Sequence, residues 1–233
     1  MKQHFTRGLL HGIPIALGYL SVSFGFGILA VRAGLAVWQA TLISAACVTS
    51  AGQVAGVGLL AAGGGLAELA LVQLTINLRY ALMSLSLSQK TAESFSLPKR
   101  LLASFGITDE IFAVCAAEPV PLTFSYMAGV ILVSVAGWLA GTALGAAAGE
   151  ILPERISAAL GIVLYGMFIA IVIPAARRRR GVLFAALSAA AIHLLLRFLV
   201  SSLSGGFSVI LATLAASSAS ALLFPTEGKK EDA

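Results

Sequence analysis

The sequence predicts an all-α polytopic integral membrane protein, and three observations carry that prediction. Of the 233 residues, 59% are hydrophobic and 11% are charged, with a mean hydropathy of +0.98; a soluble domain carries about 25% charged residues. The apolar runs are continuous and about as long as a crossing helix requires, roughly 20 residues. The alternating strands of roughly 10 residues that build an outer-membrane barrel are not seen. The 24 glycines suit helices that pack closely in lipid.

The apolar segments are 9–31, 36–62, 66–88, 101–117, 122–148, 156–175, 181–203 and 206–224. The breaks are marked by Gly63-Gly64-Gly65, Pro98-Lys99-Arg100, Glu118-Pro119-Val120-Pro121, Pro153-Glu154-Arg155 and Gly205-Gly206. Residues 1–224 read as one transmembrane domain and 225–233 as a short polar tail. The first run is too long for a signal-peptide core of roughly 7–15 residues, so it is expected to be retained. Cys47 and Cys115 lie inside apolar runs and read as small hydrophobes. Trp38 and Trp138 read as interfacial anchors.

Basic residues gather in short loops, which is the pattern of membrane orientation rather than of nucleic-acid binding. The clusters are Arg177–Arg180, Lys90 with Lys99 and Arg100, Arg32, and Lys229-Lys230. If all eight segments crossed, Arg177–Arg180 and Lys99-Arg100 would face opposite sides. If segment 101–117 is re-entrant or broken, seven spans remain and these clusters share the cytoplasmic side, but Lys2 and Arg7 then fall outside. Seven to eight hydrophobic segments is therefore the expectation. A weak internal echo relates Arg79-Tyr80, Ser84 and Ser86 to Arg197-Phe198, Ser202 and Ser204 at equal spacing. It suggests inverted three-helix repeats over 9–88 and 122–203, a common transporter plan. Chance in Ala/Leu/Ser-rich helices gives the same echo, and both readings stand.

Polar residues at membrane depth are costly, roughly 2.5–3.5 kcal/mol for a central charge on an insertion scale. Four groups stand out. Ser50-Ala51-Gly52-Gln53 could open a helix and present backbone to a ligand, or Gln53 could make an interhelical hydrogen bond. Asn77 shares a helix face with Gln73, Tyr80 and Ser84, while Arg79 lies with Thr75 and needs an acid or water. Thr108-Asp109-Glu110 places two acids against one deep arginine. One acid is expected to pair with Arg79 and the other to exchange a proton; a carboxylate reaching the interface is the simpler alternative. His193 and Arg197 share a face; Arg197 can snorkel, and His193 reads as a hydrogen-bonded structural residue or a proton relay.

No nucleotide-binding, metalloprotease or hydrolase motif is present. The histidines are too scattered for a metal centre, no cofactor is implied, and nothing suggests an enzyme.

Ser50-Ala51-Gly52-Gln53, Asn77-Leu78-Arg79-Tyr80 and Thr108-Asp109-Glu110, in that order and on apolar segments, resemble the AzlC-type branched-chain amino-acid permeases. Gly161 to Pro174 is similar to the family's second half, and the likeness covers nearly the whole chain. Two positions depart from the family pattern. Ala51-Gly52-Gln53-Val54 stands where Gly-Ala-Ser-Gln-Phe is usual, and Tyr80 where His is usual. The resemblance implies a secondary exporter of branched-chain amino acids in a bacterial cytoplasmic membrane. It also implies a small AzlD-type membrane subunit. Gly52, Gln53, Asn77, Arg79, Tyr80, Thr108, Asp109, Glu110 and His193 are the candidate substrate or coupling residues. A facilitator of another small organic solute, or a non-transporting scaffold subunit, are the alternatives.

Overall fold

The computed structural model describes residues 2–119, 121–151, 153, 155, 169, 172–200 and 203–225. The expected segment 156–175, the stretch Gly161 to Pro174, Ser202 of the internal echo and most of the polar tail lie largely or wholly outside the described residues. The described chain is helical, with one isolated bridge between Thr91 and Leu122. The helices are α1 (Lys2–Arg32), α2 (Val37–Ala46), α3 (Ser50–Ala61), α4 (Leu66–Ser88), α5 (Leu97–Phe105), α6 (Asp109–Ala117), α7 (Phe124–Ile151), α8 (Arg180–Leu199) and α9 (Gly205–Leu223). Among the described residues, α1, α4, α7, α8 and α9 are long and apolar enough to cross a membrane.

The frame is the pair α1 and α7. An added Cβ at Gly8 would strike Tyr126, at Gly12 Val130, at Gly137 Ala16, at Gly141 Leu20, at Gly145 Phe24 and at Gly149 Ile28. Both sets of numbers rise together, so the helices run parallel. The small residues every turn let the two backbones touch along the whole seam, the usual adhesive of helices in lipid.

Segment 36–62 does not cross. α2 has 10 residues and α3 has 12, so each spans roughly 15–18 Å at 1.5 Å per residue, about half of a 30 Å bilayer core. The chain reverses between them through the extended residues Cys47 and Thr49. Gln53 on the returning helix bonds Ser44 on the descending one at 2.7 Å, and Val57 packs in one cluster with Ala40. These pairings are symmetric about Val48, as a helical hairpin requires. The expected crossing helix is thus replaced by a re-entrant loop.

Segment 101–117 is also re-entrant, and enters from the opposite end. α5 and α6 have 9 residues each. Arg100 donates to Thr91 at 2.9 Å, and Lys90 donates to the Ala116 carbonyl at 2.5 Å. Both flanks of this hairpin therefore meet the loop that follows α4. Its tip, Gly106-Ile107-Thr108, reaches α1 at mid-length, where the Thr108 hydroxyl meets Tyr19.

Two returning hairpins explain the parallel α1 and α7, since only α4 crosses between them. They also remove the conflict over the N-terminal charges. Arg7 pairs with Glu118, so the start of α1 lies beside the Lys90, Lys99 and Arg100 loops. α8 and α9 are antiparallel, joined by Gly181 with Ser220 and by His193 with Ser208. Glu68, in the first turn of α4, accepts from Ser204 and from the Phe207 amide at 3.3 Å, capping α9. Arg180 consequently lies at the same end as Arg7 and Lys90, and Arg32 at the other. α1 and α7, at the heads of 9–88 and 122–203, run the same way, whereas the helix and hairpin of 2–61 run opposite to the helix and hairpin of 66–117.

Candidate functional site

Both hairpin tips end in one cavity of about 570 Å³ at the mid-depth of α1, α4 and α7. One wall is the α1 face Pro14, Ile15, Gly18, Tyr19 and Val22; the others carry Val48, Ser50, Ala51, Ile76, Arg79, Tyr80, Thr108, Asp109, Glu110, Trp138 and Val172. The lining is mostly apolar with a few charged groups at one level, the composition usual for a small-molecule site.

The charges are arranged by helix ends. Thr108 is the N-cap of α6 and accepts from the Ile111 amide at 3.3 Å. Asp109 and Glu110 then occupy the first turn, where the helix dipole favours carboxylates. Arg79 reaches across from α4 and pairs with Asp109 at 2.7 Å, both side chains close to half exposed (45% and 44%). Both residues line the cavity, and an ion pair at this depth is tolerated in a water-accessible cavity. Arg79 also lies over the Tyr80 ring, 5.0 Å from its centre, and donates to the Tyr80 hydroxyl at 3.3 Å. Among the described residues Glu110 has no cationic partner; Tyr19 donates to it at 2.6 Å. Among the described lining residues, one arginine stands with two acids.

The opposite wall has the other polarity. α3 begins at Ser50, and its N-cap Thr49 makes no side-chain cap. Ser50 and Ala51, the first two residues of α3, line the cavity, and the amides of a helix's first turn have no partner within the helix.

Asn77, Gly52 and Gln53 are brought close to the cavity but brace its wall rather than line it. Tyr80 donates to Thr49 at 3.4 Å and Thr49 donates to Asn77 at 2.7 Å. Asn77 donates to Gln73 at 3.0 Å, and Gln73 donates to the Gly52 carbonyl at 2.7 Å. The expected face Gln73, Asn77 and Tyr80 thus ties the α2–α3 tip to α4. An added Cβ at Gly52 would lie 2.6 Å from the Gln73 oxygen, which explains a residue without a side chain there. Gln53 is 2% exposed, donates to Ser44 at 2.7 Å and accepts from the Trp138 indole at 3.1 Å. Trp138 is therefore not an interfacial anchor: it is 2% exposed, half-way along α7, with its ring edge-on to Tyr19 at 5.3 Å. Trp38, by contrast, is 66% exposed near the start of α2.

His193 stands apart from the cavity, with Nδ1 3.0 Å from the Ser208 hydroxyl between α8 and α9. Arg197 turns to the Leu203 carbonyl at 3.5 Å, beyond the end of α8. Among the described residues no group of three or more His, Cys, Asp and Glu could hold a metal ion.

Two participants escaped sequence reasoning. Tyr19 reads as one more aromatic in an apolar helix, and Thr49 as a helix residue. The available signal was the similarity of Val48-Thr49-Ser50 to Ile107-Thr108-Asp109, which places a threonine at each tip.

The family model described as AzlC protein matches residues 14–152, from the cavity face of α1 to the end of α7. The inner membrane protein YgaZ of Escherichia coli (strain K12) is 30% identical over 183 residues, 76% of this chain and 75% of the relative. A membrane protein of Archaeoglobus fulgidus is 31% identical over 195 residues, 82% of this chain and 85% of the relative. No solved structure matches the chain.

Proposed function

The chain belongs to the AzlC family of multi-pass membrane proteins, and on that premise we propose that it is a secondary transporter that exports branched-chain amino acids. The observation that carries this reading is the cavity at mid-depth, where the α5–α6 break brings Asp109 and Glu110 to Arg79 of α4 and the α2–α3 break brings Ser50 and Ala51. A zwitterion needs an acceptor for its ammonium and donors for its carboxylate. Glu110, without a cationic partner among the described residues, suits the ammonium. Arg79 and the start of α3 at Ser50 and Ala51 suit the carboxylate, as half-helix N-termini do in transporters. Ile15, Val22, Val48, Ile76 and Trp138 offer an apolar bed for a branched side chain. In this reading Asp109 holds Arg79 in place and Glu110 exchanges the coupling proton. Gly52, Gln53 and Asn77 fix the tip on which the amides are mounted.

The protein resides in the cytoplasmic membrane of a bacterium in this reading, and the positive-inside rule puts the end with Arg7, Lys90, Lys99, Arg100 and Arg180 in the cytoplasm. A small AzlD-type membrane subunit completes the transporter. α8 contributes no buried residue and leaves an apolar face for that subunit or for lipid.

The test is efflux of labelled leucine, isoleucine and valine from cells preloaded with dipeptides. Cells carry this chain with the small subunit, or its Asp109→Asn variant at equal abundance. Faster efflux that the variant loses supports the reading. Efflux no faster than from empty cells, with the protein present in the membrane, overturns it.

A further inference from the structure

The two hairpin tips are held by the same contact, exchanged between the two inverted units. Tyr19, on the crossing helix of the first unit, has its hydroxyl 2.5 Å from Thr108 at the tip of the second. Tyr80, on the crossing helix of the second unit, donates to Thr49 at the tip of the first, at 3.4 Å. Both threonines are 5% exposed and both are the N-caps of the outgoing half-helix. Each tyrosine also touches one charged group of the cavity, and the charges have opposite sign: Tyr19 donates to Glu110 at 2.6 Å, and Tyr80 accepts from Arg79 at 3.3 Å.

We propose that Tyr19–Thr108 and Tyr80–Thr49 are the paired positioning contacts that decide which end of the cavity is open, one for each hairpin. This rests on the transport reading. The α5–α6 hairpin enters from the basic end, so the Tyr19 contact closes that end by pinning its tip against α1. The α2–α3 hairpin enters from the other end, and the Tyr80 contact closes that one. The two contacts differ in the state seen here. The Tyr19 contact is short and shared with Glu110, whereas the Tyr80 contact is at the limit of hydrogen bonding. Tyr19 and Tyr80 are tethered to the very charges that a zwitterion would engage, Glu110 and Arg79. A substrate that takes those charges loosens the tips, and access can pass from one end to the other.

The experiment uses a reporter cysteine at Gly18, a cavity position where an added Cβ meets nothing within 4 Å. Cys47 and Cys115 are first replaced by alanine. A membrane-impermeant maleimide is applied to intact cells and to inside-out vesicles. Tyr19→Phe and Thr108→Val should each raise labelling from the vesicle side about fivefold, the shift one ordinary hydrogen bond produces, with intact cells unchanged. Tyr80→Phe and Thr49→Val should do the reverse. The threonine variants approach each contact from its other partner, so a tyrosine variant that fails to fold still leaves that end tested. Labelling that rises from both sides together, or from neither, overturns the proposal, because a merely structural bond has no side. Amino-acid flux in the same cells reads the transport proposal separately: reciprocal labelling without flux removes the substrate and keeps the gates.

Discussion

Replacing Gln53 by leucine tests whether that glutamine is a brace for the α2–α3 tip or a group kept free for a ligand. Gln53 is 2% exposed and makes two interhelical bonds, to Ser44 at 2.7 Å and from Trp138 at 3.1 Å. Bonds of this type average about 0.6 kcal/mol in a membrane protein, so the pair contributes about 1.2 kcal/mol. Ser44 keeps Thr142 at 2.8 Å, but the Trp138 indole N–H is left buried without a partner, a penalty of about 1–3 kcal/mol. Gln53→Leu should therefore cost about 2–4 kcal/mol. Trp138→Phe loses one bond and ring volume, and leaves only an acceptor unpaired. The double variant has no orphaned donor, so it should be more stable than the sum of the singles by about 1–2 kcal/mol. The assay is equilibrium unfolding in mixed dodecyl maltoside and SDS micelles, followed by far-ultraviolet circular dichroism. Singles that add within about 0.5 kcal/mol, or a Gln53→Leu protein as stable as the parent, would refute the reasoning and return Gln53 to the candidates for direct ligand contact.

Two further outcomes follow from the packing. Gly145→Val should prevent accumulation of the monodisperse protein, because the new side chain meets the Phe24 backbone across the α1–α7 seam, whereas Gly58→Ala, with open space around it, should leave yield unchanged; size-exclusion profiles in detergent decide. Glu68→Ala should destabilise the protein by about 1 kcal/mol through loss of its bonds to Ser204 and the Phe207 amide, with Ser204 remaining as the α9 N-cap, read by the same micelle titration, while Glu68→Gln keeps a hydrogen-bond acceptor and should lose less.

Hydropathy sufficed to identify a helical membrane protein, and charge at depth was enough to single out Arg79, Asp109 and Glu110 as candidates, because a charge inside an apolar segment has few innocent explanations. What could not be read was direction. Segment 36–62 is as apolar as a crossing helix, and nothing in its composition marks a reversal at Val48. The reversal is set by tertiary contacts, Gln53 to Ser44 within the hairpin and Gln73 to Gly52 from α4. Once that segment is counted as a crossing, every later orientation shifts, which is why Lys2 and Arg7 seemed to fall outside. Trp138 misled for a related reason. Tryptophan is frequent at interfaces, but an indole N–H can also be satisfied at mid-membrane by a buried amide, and Gln53 supplies one. Tyr19 and Thr49 carry no charge, so their place at the cavity emerges only when the tips are seen to meet.

The central claim is that two hairpins enter from opposite ends and meet at a charged cavity. Its most direct test is the sidedness of their flanks. Single cysteines at Gly34, Gly64, Ser94 and Pro119, in the protein lacking Cys47 and Cys115, are labelled with an impermeant maleimide in intact cells and in inside-out vesicles. The account expects Gly34 and Gly64 to react from the outside only, and Ser94 and Pro119 from the cytoplasmic side only. Opposite sides for Gly34 and Gly64, or for Ser94 and Pro119, would make the segment between them a crossing helix and would contradict the account.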